Sequence, residues 1–112
     1  MRRILAFAAF VAVTTGAALA VAVPPSAMAG NPSNFDGKTV TATGTVKGFQ
    51  TSSTMMGTVA GYQLCDSMKC IVVIDESNHA QTNGKTATVT GTFHATFKGP
   101  RKTFTNALVI SK

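Results

Sequence analysis

This 112-residue chain contains methionine and histidine residues whose side chains could bind a soft metal ion. Met55 and Met56 are adjacent, while Met68 and His79 follow further along the chain. Thioether sulfur and imidazole nitrogen are ligands that Cu(I) and Ag(I) prefer. These four residues therefore predict, as one alternative, a Cu(I)/Ag(I)-binding chaperone. The other interpretation is that the paired methionines are adaptable hydrophobes at the mouth of a barrel.

Groups for enzymatic chemistry are few, since the chain has four Asp and Glu residues and two histidines. No spacing typical of Ser-His-Asp or Cys-His nucleophilic catalysis occurs. Asp75 and Glu76 follow an apolar run, where ordinary turn chemistry accounts for both acids. We therefore expect a non-enzymatic protein without a cofactor.

One short basic cluster, Lys98-Gly99-Pro100-Arg101-Lys102, could bind an anion or could be a solvated turn. Single-stranded nucleic acid is bound by such cations together with aromatic side chains on which bases stack. Alternation along the predicted strands points Phe93 and Phe97 into the core and leaves Phe104 among the available aromatics. The residues predicted to contact a ligand are Lys47, Phe49, Tyr62, Lys98, Arg101 and Lys102.

The start of the chain has the three parts of a secretory leader. Two arginines follow Met1, residues 4–23 are almost wholly apolar, and a Pro-Pro-Ser break precedes Ala27-Met28-Ala29. Cleavage after Ala29 would make residues 1–29 a signal peptide and residues 30–112 the mature domain. The alternative is an uncleaved anchor, because the apolar run is long enough to cross a bilayer. We expect a periplasmic or secreted protein.

The charge balance of the mature domain is mildly positive. Of ten Lys and Arg residues, Arg2 and Arg3 leave with the leader; the remaining eight stand against four acids, a net charge of +4. Such a balance favours anionic partners such as nucleic acid or polysaccharide. It is equally consistent with a charged surface that keeps a small exported protein soluble.

Cys65 and Cys70 are the two cysteines of the chain. Export places them in an oxidising compartment, and the ends of two hairpin strands can meet the spacing of a disulfide. Their separation is not the C-x-x-C of a redox or metal pair. We predict a structural Cys65–Cys70 bridge.

A ten-residue repeat indicates the architecture. GKTVTATGTV at 37–46 returns as GKTATVTGTF at 84–93. Both copies alternate small or apolar residues with threonine, the period of a strand that has one face in a core. Five predicted strands follow from this pattern and its neighbours: 38–49, 58–64, 71–74, 85–97 and 103–110.

The strand order, with a short helix or loop at 75–83 and a first strand bent at Gly44 and Gly48, resembles the oligonucleotide/oligosaccharide-binding (OB) fold of the anticodon-binding type. The fragments that carry the resemblance are Gly44-Thr45-Val46, Tyr62-Gln63-Leu64-Cys65-Asp66, Ile71-Val72-Val73 and Ala87-Thr88-Val89-Thr90-Gly91. The resemblance implies an all-β, five-stranded Greek-key barrel.

These observations together predict an exported OB-like binding module, monomeric and not inserted in a membrane after cleavage. An anionic polymer, either single-stranded nucleic acid or polysaccharide, is the leading ligand class. The alternatives are the Cu(I)/Ag(I) chaperone and an accessory domain that contacts another protein. Small exported OB-type copper chaperones are similar in size, although this chain has no tryptophan to cover an ion.

Overall fold

Six strands and two short helices make up the described part of the computed structural model, which covers residues 20–55, 57–99 and 102–111. Met56, Arg101 and most of the predicted leader lie outside the described residues. The elements in chain order are β1 (Val21–Ala22), α1 (Pro25–Gly30), α2 (Pro32–Phe35), β2 (Thr39–Thr54), β3 (Gly57–Cys65), β4 (Cys70–Asp75), β5 (Thr86–Lys98) and β6 (Thr103–Ile110).

The strands form one sheet that curves into a barrel-like ring, which confirms the all-β class. β2 pairs with β3, β3 with β4, β6 with β5 and β5 again with β2, all antiparallel, while β4 and β6 are parallel. The sheet has six strands instead of the expected five because Val21 and Ala22 pair with Val40 and Thr41. The link from β4 to β5 is a loop with turns, not a helix.

The two copies of the repeat pair with each other in β2 and β5. Val40 faces Gly91 and the equivalent Ala87 faces Gly44, so the pairing is symmetric about Ala42 and Val89, which are equivalent positions that face each other. The hydrogen bonds at the two ends of the pairing are also equivalent. Gly37 N–H donates to the Phe93 carbonyl, and Gly84 N–H donates to the Val46 carbonyl. The repeated sequence thus forms a local two-fold ribbon that joins the two sides of the ring.

The threonines of the repeat occupy the outside of this ribbon. The hydroxyls of Thr41 and Thr90 lie 2.8 Å apart, and those of Thr43 and Thr88 lie 2.8 Å apart. Cross-strand pairs of this kind contribute about 0.2–1 kcal/mol each. The pairing therefore explains why both copies keep threonine at alternate positions.

Gly44 and Gly91, which occupy the same position in the two copies, lie where a neighbouring strand passes closest. A Cβ on Gly44 would be 2.6 Å from the Cys65 carbonyl oxygen in β3, and one on Gly91 would be 2.4 Å from that of Val109 in β6. Real Cβ atoms do not approach backbone so closely, so only glycine fits without movement of a strand. β2 also bends between Lys47 and Gln50, where Gly48 has a φ of 65°.

Side chains from the inner face of the sheet fill the ring. Phe93, Leu64 and Leu108 are fully buried there, and Met28 of α1 is buried among them. α1 packs against β2, β3 and β4. The Cys65–Cys70 disulfide is present and joins the adjacent ends of β3 and β4, with Cα atoms 4.0 Å apart. None of the helices among the described residues is long and apolar enough to cross a membrane.

Alanine at either repeat glycine should destabilise the ring. We expect Gly44→Ala and Gly91→Ala to lower the free energy of unfolding by about 1–3 kcal/mol, because the added methyl group pushes the neighbouring strand away. Gly61→Ala is the control, since its Cβ would meet no atom closer than 3.9 Å. Urea unfolding of the three variants measures the difference. Equal stability of all three would contradict the close approach of the strands.

Candidate ligand-binding surface

A row of cross-strand neighbours crosses the outer face of the ring. Lys47 of β2 pairs with Gln63, Gln63 with Val72, Val72 with Ala107, and Ala107 with His94 of β5. The residues that flank this row on β3 and β4 point inward into the core; they are Tyr62, Leu64, Ile71 and Val73. Adjacent strands lie about 4.8 Å apart, so the row follows the curve of the ring for about 19 Å. Because β2 and β5 also pair, a straight segment of polymer would contact only part of this row.

The middle of this face is apolar. Ile74, Ala107 and Val109 are buried in a second cluster, separate from the core inside the ring. Half-buried side chains surround them and present apolar edges to solvent. We call the whole set the outer apolar patch; its members are Val59, Val72, Ile74, Phe97, Phe104, Ala107 and Val109.

Aromatic and cationic side chains meet at the β5–β6 end of the patch. Phe97 and Phe104 are cross-strand partners next to the turn, and the His94 ring lies 5.4 Å from the Phe97 ring. Lys102 Nζ lies 4.9 Å from the centre of the Phe104 ring, and the exposed Lys98 is the cross-strand partner of Thr103 at the end of β5. A cation over a half-exposed ring can bind an anionic group and a planar group at the same time. Arg101, predicted to act with these lysines, lies outside the described residues.

Phe97 departs from the sequence-based expectation, which placed it in the core with Phe93. Phe93 is fully buried inside the ring, but Phe97 packs in the outer cluster. The alternation of faces breaks between the pairs His94–Ala107 and Thr96–Thr105. Asn106 lies in that interval with a φ of 53°, a left-handed conformation that turns the strand. No sequence periodicity indicated this break.

Phe49 and Tyr62, two predicted ligand contacts, lie on the opposite side of the sheet from the aromatic end. Tyr62 is 3% exposed in the core, and the half-buried Phe49 ring lies 5.9 Å from it. A buried ring offers no open face for a base or sugar to stack on. Lys47 is exposed at the far end of the outer row. The structure thus places Lys98 and Lys102 at the same turn and separates them from Phe49, Tyr62 and Lys47.

Burial also changes the pKa of the Tyr62 hydroxyl. Desolvation, with a further contribution from the Asp75 carboxylate, raises the pKa of Tyr62 to about 12. The nearby Gln81 side chain lowers the pKa by less, and no hydrogen-bond partner for the hydroxyl occurs in the part of the chain that is described. The tyrosine is therefore a neutral core residue at any pH near 7.

The turn after β4 is held by contacts among the side chains and amides of Asp75, Ser77 and His79. Asp75 is 1% exposed and accepts hydrogen bonds from the backbone amides of Ser77 and His79. The Ser77 hydroxyl contacts the same carboxylate and lies 2.7 Å from His79 Nδ1. In a catalytic triad the two ring nitrogens contact the acid and the hydroxyl separately. Here Nδ1 faces both, because the Asp75 oxygen is 3.4 Å from the same nitrogen.

The predicted metal ligands are spread along the sheet. Met55 precedes β3 and Met68 follows it, so the nine residues of β3 separate them by about 26 Å. Both side chains are exposed, and His79 Nδ1 already faces Ser77 and Asp75. Within the described ranges, no three histidine, cysteine or acidic side chains form a group that could hold an ion. Met56 lies outside those ranges.

The three aspartates accept hydrogen bonds from backbone amides, and the lysines among the described residues form no ion pair. Asp36 accepts the Ala95 amide, Asp66 accepts the amides of Ser26, Met68 and Lys69, and Asp75 caps its own turn. His79–Asp75 is the sole ion pair among residues 20–55, 57–99 and 102–111. The described lysines therefore face solvent without local neutralisation, which strengthens the attraction of anions to the surface.

Asp66 anchors α1 to the β3–β4 turn. Hydrogen bonds from the Ser26 side chain, and then from the backbone amides of Lys69, Met68 and Ser26, hold the pKa of Asp66 well below its usual range. A carboxyl whose pKa is lower in the folded state stabilises the fold above its unfolded pKa of about 3.9. That stabilisation is lost as the pH falls through the folded pKa.

The chain was compared with protein-family models, with curated protein sequences and with solved structures, and none of them matches it.

Replacement of Asp66 by asparagine should reduce the acid sensitivity of the protein. We expect Asp66→Asn to be less stable than wild type at pH 7, with a smaller further loss between pH 5 and pH 2, because the group that becomes protonated is gone. Urea unfolding across this pH range measures both effects. Asp36→Asn, which removes a carboxylate with one backbone hydrogen bond, should lose less stability at pH 7. If the free energy of unfolding of Asp66→Asn fell between pH 5 and pH 2 as much as that of wild type, the stabilising role of the ionised Asp66 would be contradicted.

Proposed function

We propose that this protein is an exported, non-enzymatic binding module with an OB-like fold, and that its outer face binds a single-stranded anionic polymer. The order in which β2 to β6 pair supports the fold, since it is the order of a five-stranded OB barrel with β1 added at one edge. Such barrels bind ligands on the face of their second and third strands and on the neighbouring loops. In this chain those strands are β3 and β4.

The observation that carries the proposal is the contact of Lys102 with Phe104 at the edge of the outer apolar patch. The lysine is exposed and has no ion pair with any described residue, and the ring is half-buried with Phe97 as its cross-strand partner. Phosphate or carboxylate groups of a polymer would meet Lys98 and Lys102, while a base or sugar ring would pack against the phenylalanines. Lys47 lies on β2 at the other end of the row, so a polymer would reach it only by following the curve of the ring.

The soft-metal function receives less support from the geometry, because Met55 and Met68 lie at opposite ends of β3. Protein contact would use the same outer apolar patch, without the salt dependence of a polyanion. The experiments below therefore separate the three possibilities by their response to salt and to sulfur removal.

Removal of the two lysines at the β5–β6 turn should weaken polymer binding in a salt-dependent manner. For an oligo(dT) probe, the logarithm of the affinity should fall with log salt by about 0.7 for each phosphate neutralised. Lys98→Ala/Lys102→Ala should reduce that slope by about 1.4. Fluorescence anisotropy at several salt concentrations measures the slopes.

The matched control is Lys38→Ala/Lys85→Ala, which removes the same charge from the two equivalent exposed lysines of the repeat. It should leave most of the slope in place. Equal slopes for the two double variants would show that only net charge matters and would contradict a site at the turn. Binding of Cu(I) that Met55→Leu abolishes, with no polymer binding at low salt, would favour the metal function instead.

Removal of the outer aromatic ring should weaken binding without loss of fold. We expect Phe104→Leu to reduce affinity for the same oligonucleotide about tenfold, because stacking contributes about 1–3 kcal/mol per base. Phe49→Leu is the control, since the Phe49 side chain packs near Tyr62 on the inner side of the sheet. Circular dichroism confirms that both variants are folded. A larger loss for Phe49→Leu would place the ligand on the other side of the sheet.

A further inference from the structure

The chain just before Gly30, which the sequence analysis assigned to the leader, forms part of the folded domain. Val21 and Ala22 pair in parallel with Val40 and Thr41, and the Val23 amide donates to the Thr41 carbonyl at 2.9 Å. Val23 is 6% exposed and belongs to the core inside the ring. This segment therefore extends the sheet and contributes to the core.

Met28 supplies the clearest contact. Its side chain has no exposed surface and packs with residues of the inner core, including Val40, Leu64 and Ile71. Pro25, one turn earlier in α1, is also buried. Loss of a fully buried methionine leaves a cavity that the surrounding strands fill only in part.

Asp66 fixes α1 from outside the core. Its carboxylate accepts the Ser26 amide at 2.8 Å and also binds the amides of its own turn, which the Cys65–Cys70 bridge closes. A carboxylate near the first turn of a helix also interacts favourably with its free amides. The β3–β4 turn thus holds α1 at one end of the ring.

A second small-residue cleavage motif precedes this segment in the sequence. Ala18-Leu19-Ala20 has alanine at both positions that an export peptidase reads, and Val21 follows at once. Cleavage after Ala29 would remove Val23 and Met28 from the core, whereas cleavage after Ala20 would leave every buried residue of the segment in place.

We propose that the leader is cleaved after Ala20, and that residues 21–30 remain on the mature protein as a plug that closes one end of the barrel. The proposal rests on the export proposed above and moves the mature start from Gly30 to Val21. It also gives α1 a structural role: with a loop instead of a helix between β4 and β5, the N-terminal helix covers the end of the core.

The N-terminus of the exported protein tests the proposal directly. The full chain would be expressed with its own leader in a bacterial host, and the exported product analysed by intact mass and N-terminal sequencing. We expect a start at Val21. A start at Gly30 would overturn this proposal and leave export intact, while an uncleaved precursor would overturn both.

Two matched substitutions show which motif the peptidase reads. Ala20→Lys places a large charged residue at the proposed site, and Ala29→Lys does so at the alternative one. We expect precursor to accumulate only with Ala20→Lys. Accumulation only with Ala29→Lys would overturn the proposal.

Stability of the exported product gives an independent readout. If Met28 is retained, Met28→Ala should lower the urea midpoint clearly, whereas Met28→Leu should change it little because the volume is kept. If cleavage removed the segment, both products would have the mass and midpoint of wild type. Identical midpoints for all three proteins would therefore contradict retention of the plug.

Discussion

The antiparallel pairing of β2 with β5 is the interaction on which the rest of the structure depends. It joins β2 to β5, which otherwise lies at the far edge of the sheet, and so turns an open sheet into a ring. Because both strands carry the same repeat, the contacts at the two ends of the pairing are equivalent. Gly44 and Gly91 admit the neighbouring strands β3 and β6 at related positions. The same sequence pattern thus provides, in both copies, a glycine where a neighbouring strand leaves no room for a side chain.

Closure of the ring separates two apolar surfaces with different consequences. The inner surface holds Phe93, Tyr62 and Met28 out of water and stabilises the domain. The outer surface keeps Phe97 and Phe104 at the edge of a smaller cluster, where each side chain stays partly accessible. An apolar patch edged by cations is typical of a binding surface and not of a protected core. Function is therefore expected on the outside of the barrel.

The sequence predicted what depends on local pattern. Alternation in the repeat located β2 and β5, the positions of Cys65 and Cys70 indicated their bridge, and the glycines anticipated the bend in β2 at Gly48. It could not predict what depends on contacts between distant strands. Phe97 packs in the outer cluster, near the left-handed Asn106, against the alternation of β5. Tyr62, by contrast, alternates with the buried Ala60 and Leu64, and this spacing could have assigned it to the core. The packing of residues 21–30 against the core was not predicted, because the apolar composition of a leader does not differ from that of a buried segment.

Mapping of the bound polymer onto the sheet is the measurement that tests the account most directly. In a titration of ¹⁵N-labelled protein with a short oligo(dT), the account predicts shifts of backbone amides along the outer row, from Gln63 and Val72 to the Phe104 and Lys102 end. The threonine ribbon around Thr41 and Thr90 should not respond. Shifts confined to that ribbon, or to the turn that holds Met55, would contradict a ligand site on the outer face of β3 and β4.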